Sequence, residues 1–237
     1  VFLNTTPDDY FNKIISLPNE QSENWQKIAW LKEIISKIGR KDVFDVLDIG
    51  CGGGTLLYTA KEELSLKNVS GVELNEVYAD LARRRLNADI LNQEYVSGLF
   101  KNKFDLLINT KVLEHVSDPI PFLNEIYDDL KQEGLLFIEV PDVCDMFNLP
   151  PSHERFWIPH VQFFSVNTLS ALLSKVGFSI LAHRVIITHR KRSYLQFVAQ
   201  KTEMISDENS DKPYDDIDKF KKLIALNLEN HNNSPLN

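Results

Sequence analysis

An α/β fold built on a doubly wound, mostly parallel sheet is predicted by three features of the 237-residue sequence. Apolar runs of strand length alternate with helical patterns over residues 43–175, as strand–helix–strand crossovers require. The first run, ending at Ile49, feeds straight into Gly50, Cys51, Gly52, Gly53 and Gly54, and then into a helix. The last two runs are joined by a turn too short for a crossover, so the final strand is expected to be antiparallel.

The individual elements follow from local pattern. Pro7 and Pro18 bracket a short helix around Tyr10, Phe11, Ile14 and Ile15. Ile28, Leu31, Ile34, Ile35 and Ile38 recur at helical spacing, and Gly39 stops that helix. Strands are expected at Val43–Ile49, Val69–Leu74, weakly at Ala88–Leu91, then at Phe104–Asn109, Leu135–Val140, Ser179–Ile187 and Tyr194–Gln200. Helices are expected at Thr55–Leu64, Val77–Leu86, Pro121–Lys131 and from Ser165 to Lys175, with Gly177 ending the last. The organisation is therefore a helical segment over 1–40, an α/β domain over 41–201, and an acidic linker with a short amphipathic helix over 202–237. Arg83, Arg84 and Arg85 lie along one helix and read as a solvated face.

Composition narrows the function. A net charge of −8 disfavours a general nucleic-acid binder. Cys51 and Cys144 are the only cysteines, too few for a disulfide framework. No apolar run approaches the length of a membrane span, and no leader-like pattern opens the chain, so a reducing, cytoplasmic setting is expected.

The glycine loop carries the chemistry. Glycines let a ligand approach the backbone, and the new helix points free N–H groups at it. Glu73 stands 21 residues past Gly52, at the end of the second strand, where an acid takes both ribose hydroxyls. Counted from Gly50, the sixth position is Thr55 and not the glycine of a dinucleotide fingerprint, so an adenosyl ligand is favoured over a pyrophosphate.

With these residues in view, the chain resembles the class I S-adenosylmethionine-dependent methyltransferases. The resemblance rests on Val46–Gly54, Gly71–Leu74 and Phe104–Pro119, and extends over roughly residues 43–200. It implies a Rossmann-like, seven-stranded sheet with one antiparallel strand, and S-adenosyl-L-methionine as cofactor. The segment from His160 through Gly177 and Phe178 resembles a branch acting on small molecules, common in cell-surface polysaccharide biosynthesis and secondary metabolism.

The resemblance assigns roles. Asp48, Gly50, Cys51 and Gly52 would hold the methionine part, Glu73 the ribose, and Leu74 would flank the adenine. Asn92 or Gln93 would meet the adenine amino group, and Asn109 and Thr110 would face the transferred methyl. Ubiquinone-pathway O-methyltransferases, which the Phe104–Pro119 segment resembles, place an acid where Lys111 stands; with Glu114 and His115 it would hold a divalent metal. Lysine removes that ligand, so no catalytic metal is expected.

The acceptor side is read from position. The stretch from Pro141 to Ser165 is long, aromatic and proline-rich, as expected of a roof over a substrate. His160 is the first choice for general base, with His115 and His153 as the other candidates. Lys111, Arg155 and Trp157 are expected to contact the acceptor. The turn Thr188–Ser193 holds His189, Arg190, Lys191 and Arg192. The strand before it runs parallel to the others, so the turn opens on the cofactor edge. Arg190 and Arg192 would then meet a phosphorylated or nucleotide-linked small molecule. O-methylation of a sugar is the expected reaction, with N-methylation of a small amine or amino sugar as the alternative. A nicotinamide-dependent oxidoreductase and a catalytically silent binding module are the competing classes, and a homodimer is possible.

Overall fold

The structure is a computed structural model that describes residues 6–40, 43, 45–96, 98–146 and 160–202. Seven strands form one sheet: β1 (Asp45–Ile49), β2 (Asn68–Val72), β3 (Asp89–Leu91), β4 (Phe104–Thr110), β5 (Leu130–Pro141), β6 (Phe178–Ile187) and β7 (Ser193–Lys201). Their order is β3-β2-β1-β4-β5-β7-β6. The β1–β2, β2–β3, β1–β4 and β4–β5 pairs are parallel, whereas β7 is antiparallel to both β5 and β6.

Helices α3 (Thr55–Glu63), α4 (Glu76–Leu86), α5 (Pro119–Asp129) and α6 (Val166–Val176) pack against the sheet, preceded by α1 (Pro7–Ile15) and α2 (Glu23–Lys37). Start signals are local. Thr6, Ser22, Asn75, Asp118 and Ser165 each accept a backbone N–H of the following helix. Gly177 ends α6 in the left-handed conformation. One apolar cluster joins Leu47, Leu107, Leu136 and Phe197 to α5 and α6, and a second joins Val46, Leu106 and Phe137 to α2, α3 and α4. The central strands are buried on both sides, which is why they read as continuous apolar runs.

Three expectations need correction. First, β5 begins at Leu130, five residues before Leu135, because α5 already ends at Asp129. The polar triplet Lys131, Gln132 and Glu133 hid this extension from a reading based on apolar runs. Second, Glu114 and His115, which the sequence suggests for the first turn of a helix, lie on a separate 3-10 turn, Leu113–His115, before α5. Third, the arginines of α4 are not simply solvated. Arg85 and Arg84 both bond Asp8, and Arg85 lies 5.2 Å above the Phe11 ring, so they fasten α1 to the domain. Residues 203–237, with the expected linker and terminal helix, lie outside the described part.

Candidate active site

The loop after β1 is shaped by what its glycines avoid. Gly50 has φ +72°, and a Cβ there would come within 2.5 Å of Val112 Cγ2. Gly54 has φ +84° and is the N-cap of α3; a Cβ there would press on Leu86 and Ala82 of α4. The tight loop is tied to β2, since Gly50 and Cys51 both donate to Val72 O. Cys51 fills the space beside Gly71, and burial pushes its thiol well above the ordinary range. It is therefore a packing residue and not a nucleophile.

Glu73 turns back toward this loop. Its Oε2 accepts from Gly52 N at 2.8 Å and its Oε1 from Asn75 N at 2.7 Å. Asn92 donates to the carbonyls of both Glu73 and Leu74, so its amide group braces the loop after β2. That commits Asn92 Nδ2 to backbone, which the expected adenine contact did not anticipate. Gln93 is exposed, and Leu74 is 73% exposed beside the acid.

A cleft of about 260 Å³ opens over the loop, lined by Asp48, Gly50–Gly53, Tyr78, Thr110 and Lys111. Asp48 is 2% exposed, and its Oδ1 has no hydrogen-bond partner among the described residues. Burial, then the nearby Glu73 charge, lifts its pKa from the ordinary 3.8 to about 8. A buried carboxyl with a free oxygen, in a cleft that also takes in Thr55 and Leu56 at the N-terminus of α3, suits a ligand that carries both an ammonium and a carboxylate. Asn109 is fully buried and neither of its amide atoms has a partner among the described residues.

A second, larger cleft of about 910 Å³ adjoins the first. One wall is α1, α2 and the turn between them, and the other is β6, β7 and their hairpin turn. Tyr10, Asn24, Lys27, Thr55 and Lys111 line both clefts and mark the junction. The helical wall carries Lys13, Glu20 and Glu23, and the strand wall Arg184, Arg190 and Arg192; Glu23 is paired with His189 at 3.1 Å. Arg190 and Arg192 line this second cleft, which adjoins the glycine-loop cleft.

Beneath the junction runs a network the sequence reading missed. Glu139, fully buried on β5, pairs with Lys27 at 3.0 Å and accepts from Gln196 at 2.5 Å. Gln196 in turn accepts from Arg184, which stacks 4.4 Å over Trp30. Lys111 Nζ lies 3.7 Å from Glu139 and 4.5 Å above the Tyr194 ring. Lys111 also has φ +60°, a conformation that is costly for a side-chain-bearing residue and clusters at functional sites. Two signals were available: a lone acid inside the apolar strand Leu135–Val140, and Lys27 at heptad spacing with Ile34 on the apolar face of α2.

The histidine candidates come together elsewhere. His115 and His160 rings lie 4.9 Å apart beside Glu114, and none of the three is among the residues lining either cleft. Burial lifts the Glu114 pKa to about 7. His153, Arg155 and Trp157 lie outside the described residues.

Residues 20–183 match the profile of a family described as a methyltransferase domain. The chain belongs to the class I S-adenosylmethionine-dependent methyltransferases. This methyltransferase is 34% identical over 103 residues to the ubiquinone biosynthesis O-methyltransferase of Bartonella tribocorum, covering 41% of each chain. It is 29% identical over 150 residues to the tRNA U34 carboxymethyltransferase of Sulfurimonas denitrificans, covering 56% of this chain and 48% of that one. The methyltransferase thus spans less than half the length of these curated relatives. The same fold occurs in a methyltransferase of Clostridium acetobutylicum, with TM-score 0.63, 11% identity, and coverage of 82% of this chain and 98% of that one. A methyltransferase of Aquifex aeolicus aligns with TM-score 0.56 and 17% identity, over 84% of this chain and all of the other. No helix of the described residues is long and apolar enough to cross a membrane.

Proposed function

We propose that this methyltransferase methylates an oxygen of a small acceptor that carries phosphate, such as a phosphorylated or nucleotide-linked sugar. The observation that carries the reading is the basic wall of the larger cleft, which meets the glycine-loop cleft at Lys27 and Lys111. A protein of net charge −8 gathers Arg184, Arg190 and Arg192 on the β6–β7 wall of a cleft that adjoins the glycine-loop cleft. Arginine forks match phosphate oxygens bidentately. The sugar itself rests on the resemblance of the segment from His160 to Phe178; the curated relatives above are named for ubiquinone and tRNA instead.

When bound, S-adenosylmethionine supplies an electrophilic methyl group on a sulfonium. Asp48 and the N-terminus of α3 would hold its amino-acid end, and Glu73 would hold its ribose. The protein's larger contribution is alignment, because an in-line displacement needs nucleophile, methyl and sulfur on one axis. Lys111, just after β4, lines the junction of the two clefts, and Thr110 lines the glycine-loop cleft beside it. The Lys111 ammonium favours an acceptor oxygen that is losing its proton.

Two measurements test this. In a panel of phosphorylated sugars, nucleotide-linked sugars, neutral sugars and tRNA, methylation is expected only with the first two. The Arg190→Ala/Arg192→Ala double variant is expected to raise KM for the phosphorylated acceptor about tenfold, from the loss of charge-assisted contacts. Its donor affinity should stay unchanged. Added salt should raise the wild-type KM in the same direction. An acceptor lacking any anionic group, or an unmoved KM, would refute the proposal.

A proton accompanies donor binding in the same scheme. Below about pH 8 the ligand-free Asp48 holds its proton, whereas the ligand's ammonium favours the ionised carboxylate. Binding at pH 7 should therefore release a proton, and affinity should rise with pH until it levels off near 8. Calorimetry in two buffers of different ionisation enthalpy detects this, and Asp48→Asn should abolish it. Identical heats in both buffers would show that Asp48 is already ionised.

A further inference from the structure

Glu114, His115 and His160 each present one ligand atom to a common space, and these atoms all lie within 4.8 Å of one another. We propose that they form a site for a divalent transition ion of the zinc class, distinct from the methyl-transfer clefts. The donor set is one carboxylate and two imidazoles, which suits zinc, whereas the hard ions magnesium and calcium prefer all-oxygen sites.

Two further observations support it. Glu114 is 2% exposed, yet its Oε2 has no hydrogen-bond partner among the described residues, an arrangement that is costly without a cation. The backbone that carries the ligands is also preassembled. Glu114 O accepts from both Val161 N and Gln162 N, and Gln162 Nε2 donates to Ser117 O. The 3-10 turn after β4 and the chain leading into α6 are thus clipped together before any ion arrives. Zinc coordination would place each of the three atoms ~2.0–2.2 Å from the ion. The Lys111 ammonium, which the sequence reading took to exclude a metal here, is engaged over the Tyr194 ring and near Glu139. The missing ligand is replaced from another part of the chain, by His160. A bound ion would lock the turn after β4 to the segment entering α6.

The test uses untagged protein stripped with a chelator. Titration with zinc is expected to give one tightly held ion per chain and to raise the melting temperature. Cobalt(II) in its place should give visible absorption bands of a low-coordinate site. His115→Ala and His160→Ala should each weaken zinc binding at least tenfold and remove the cobalt bands. His115 is exposed, so its variant should keep the metal-free melting temperature, which separates ligand loss from unfolding. Absence of stoichiometric zinc, or zinc held equally by both variants, would overturn the site.

Discussion

Replacing Lys27 with Met is expected to destabilise the protein by about 3–5 kcal/mol, the usual cost of removing one partner from a buried ion pair. Lys27 is 5% exposed and lies 3.0 Å from a Glu139 that is not exposed at all. Without Lys27, the carboxylate keeps Gln196 and a Lys111 ammonium at 3.7 Å, neither of which replaces a direct buried cation. For a chain of this size the loss corresponds to a fall of about 6–20 °C in melting temperature. Chemical denaturation measures it directly. A Lys27→Met/Glu139→Gln double variant should recover much of the loss, since it removes the orphaned charge along with its partner. If the single variant unfolds at the wild-type denaturant concentration, Glu139 is satisfied by its other neighbours and the pair is incidental.

The second large effect concerns the donor. Glu73→Ala should weaken S-adenosylmethionine binding by about 1–3 kcal/mol, a factor of roughly 5–150, because hydrogen bonds to a charged carboxylate are lost. The variant removes two things at once. One is the proposed acceptor for the ribose hydroxyls. The other is the brace on the loop, since the same carboxylate holds Gly52 N and Asn75 N. Glu73→Gln separates them, because an amide oxygen still accepts one of these bonds. The loss should therefore be smaller for Gln than for Ala in calorimetric titration. An unchanged dissociation constant in the alanine variant would remove Glu73 from the binding site.

Most of the sheet was legible because its determinants are local. The buried runs of β1 and β4, the glycine loop and the Asn75 and Ser165 caps each declare themselves within a few residues. The antiparallel β7 followed from loop length alone. The acceptor cleft was only half legible. The hairpin turn could be placed by strand direction, but its opposite wall comes from α1 and α2, whose position depends on contacts remote in sequence. Asp8 meeting Arg85, and Lys27 meeting Glu139, are pairings that no periodicity encodes. The histidines show the same limit. His115 was visible as part of a motif and His160 as part of another, but their convergence on Glu114 is a property of the folded chain.

The position of β7 between β5 and β6 has a consequence for how acceptor preference can change. Both edges of β7 are already paired along its length, so its register is fixed from two sides. The five residues joining it to β6, Thr188–Arg192, belong to neither strand ladder, and Thr188, His189, Arg190 and Arg192 line the larger cleft. Residues can be exchanged or inserted there without shifting a strand or uncovering a sheet edge. The loop after β1, by contrast, has little room, since a Cβ at Gly50 or Gly54 would collide with a neighbour. The molecule thus separates a part that tolerates almost no rewriting from one that invites it, and a new acceptor would be acquired at the hairpin tip.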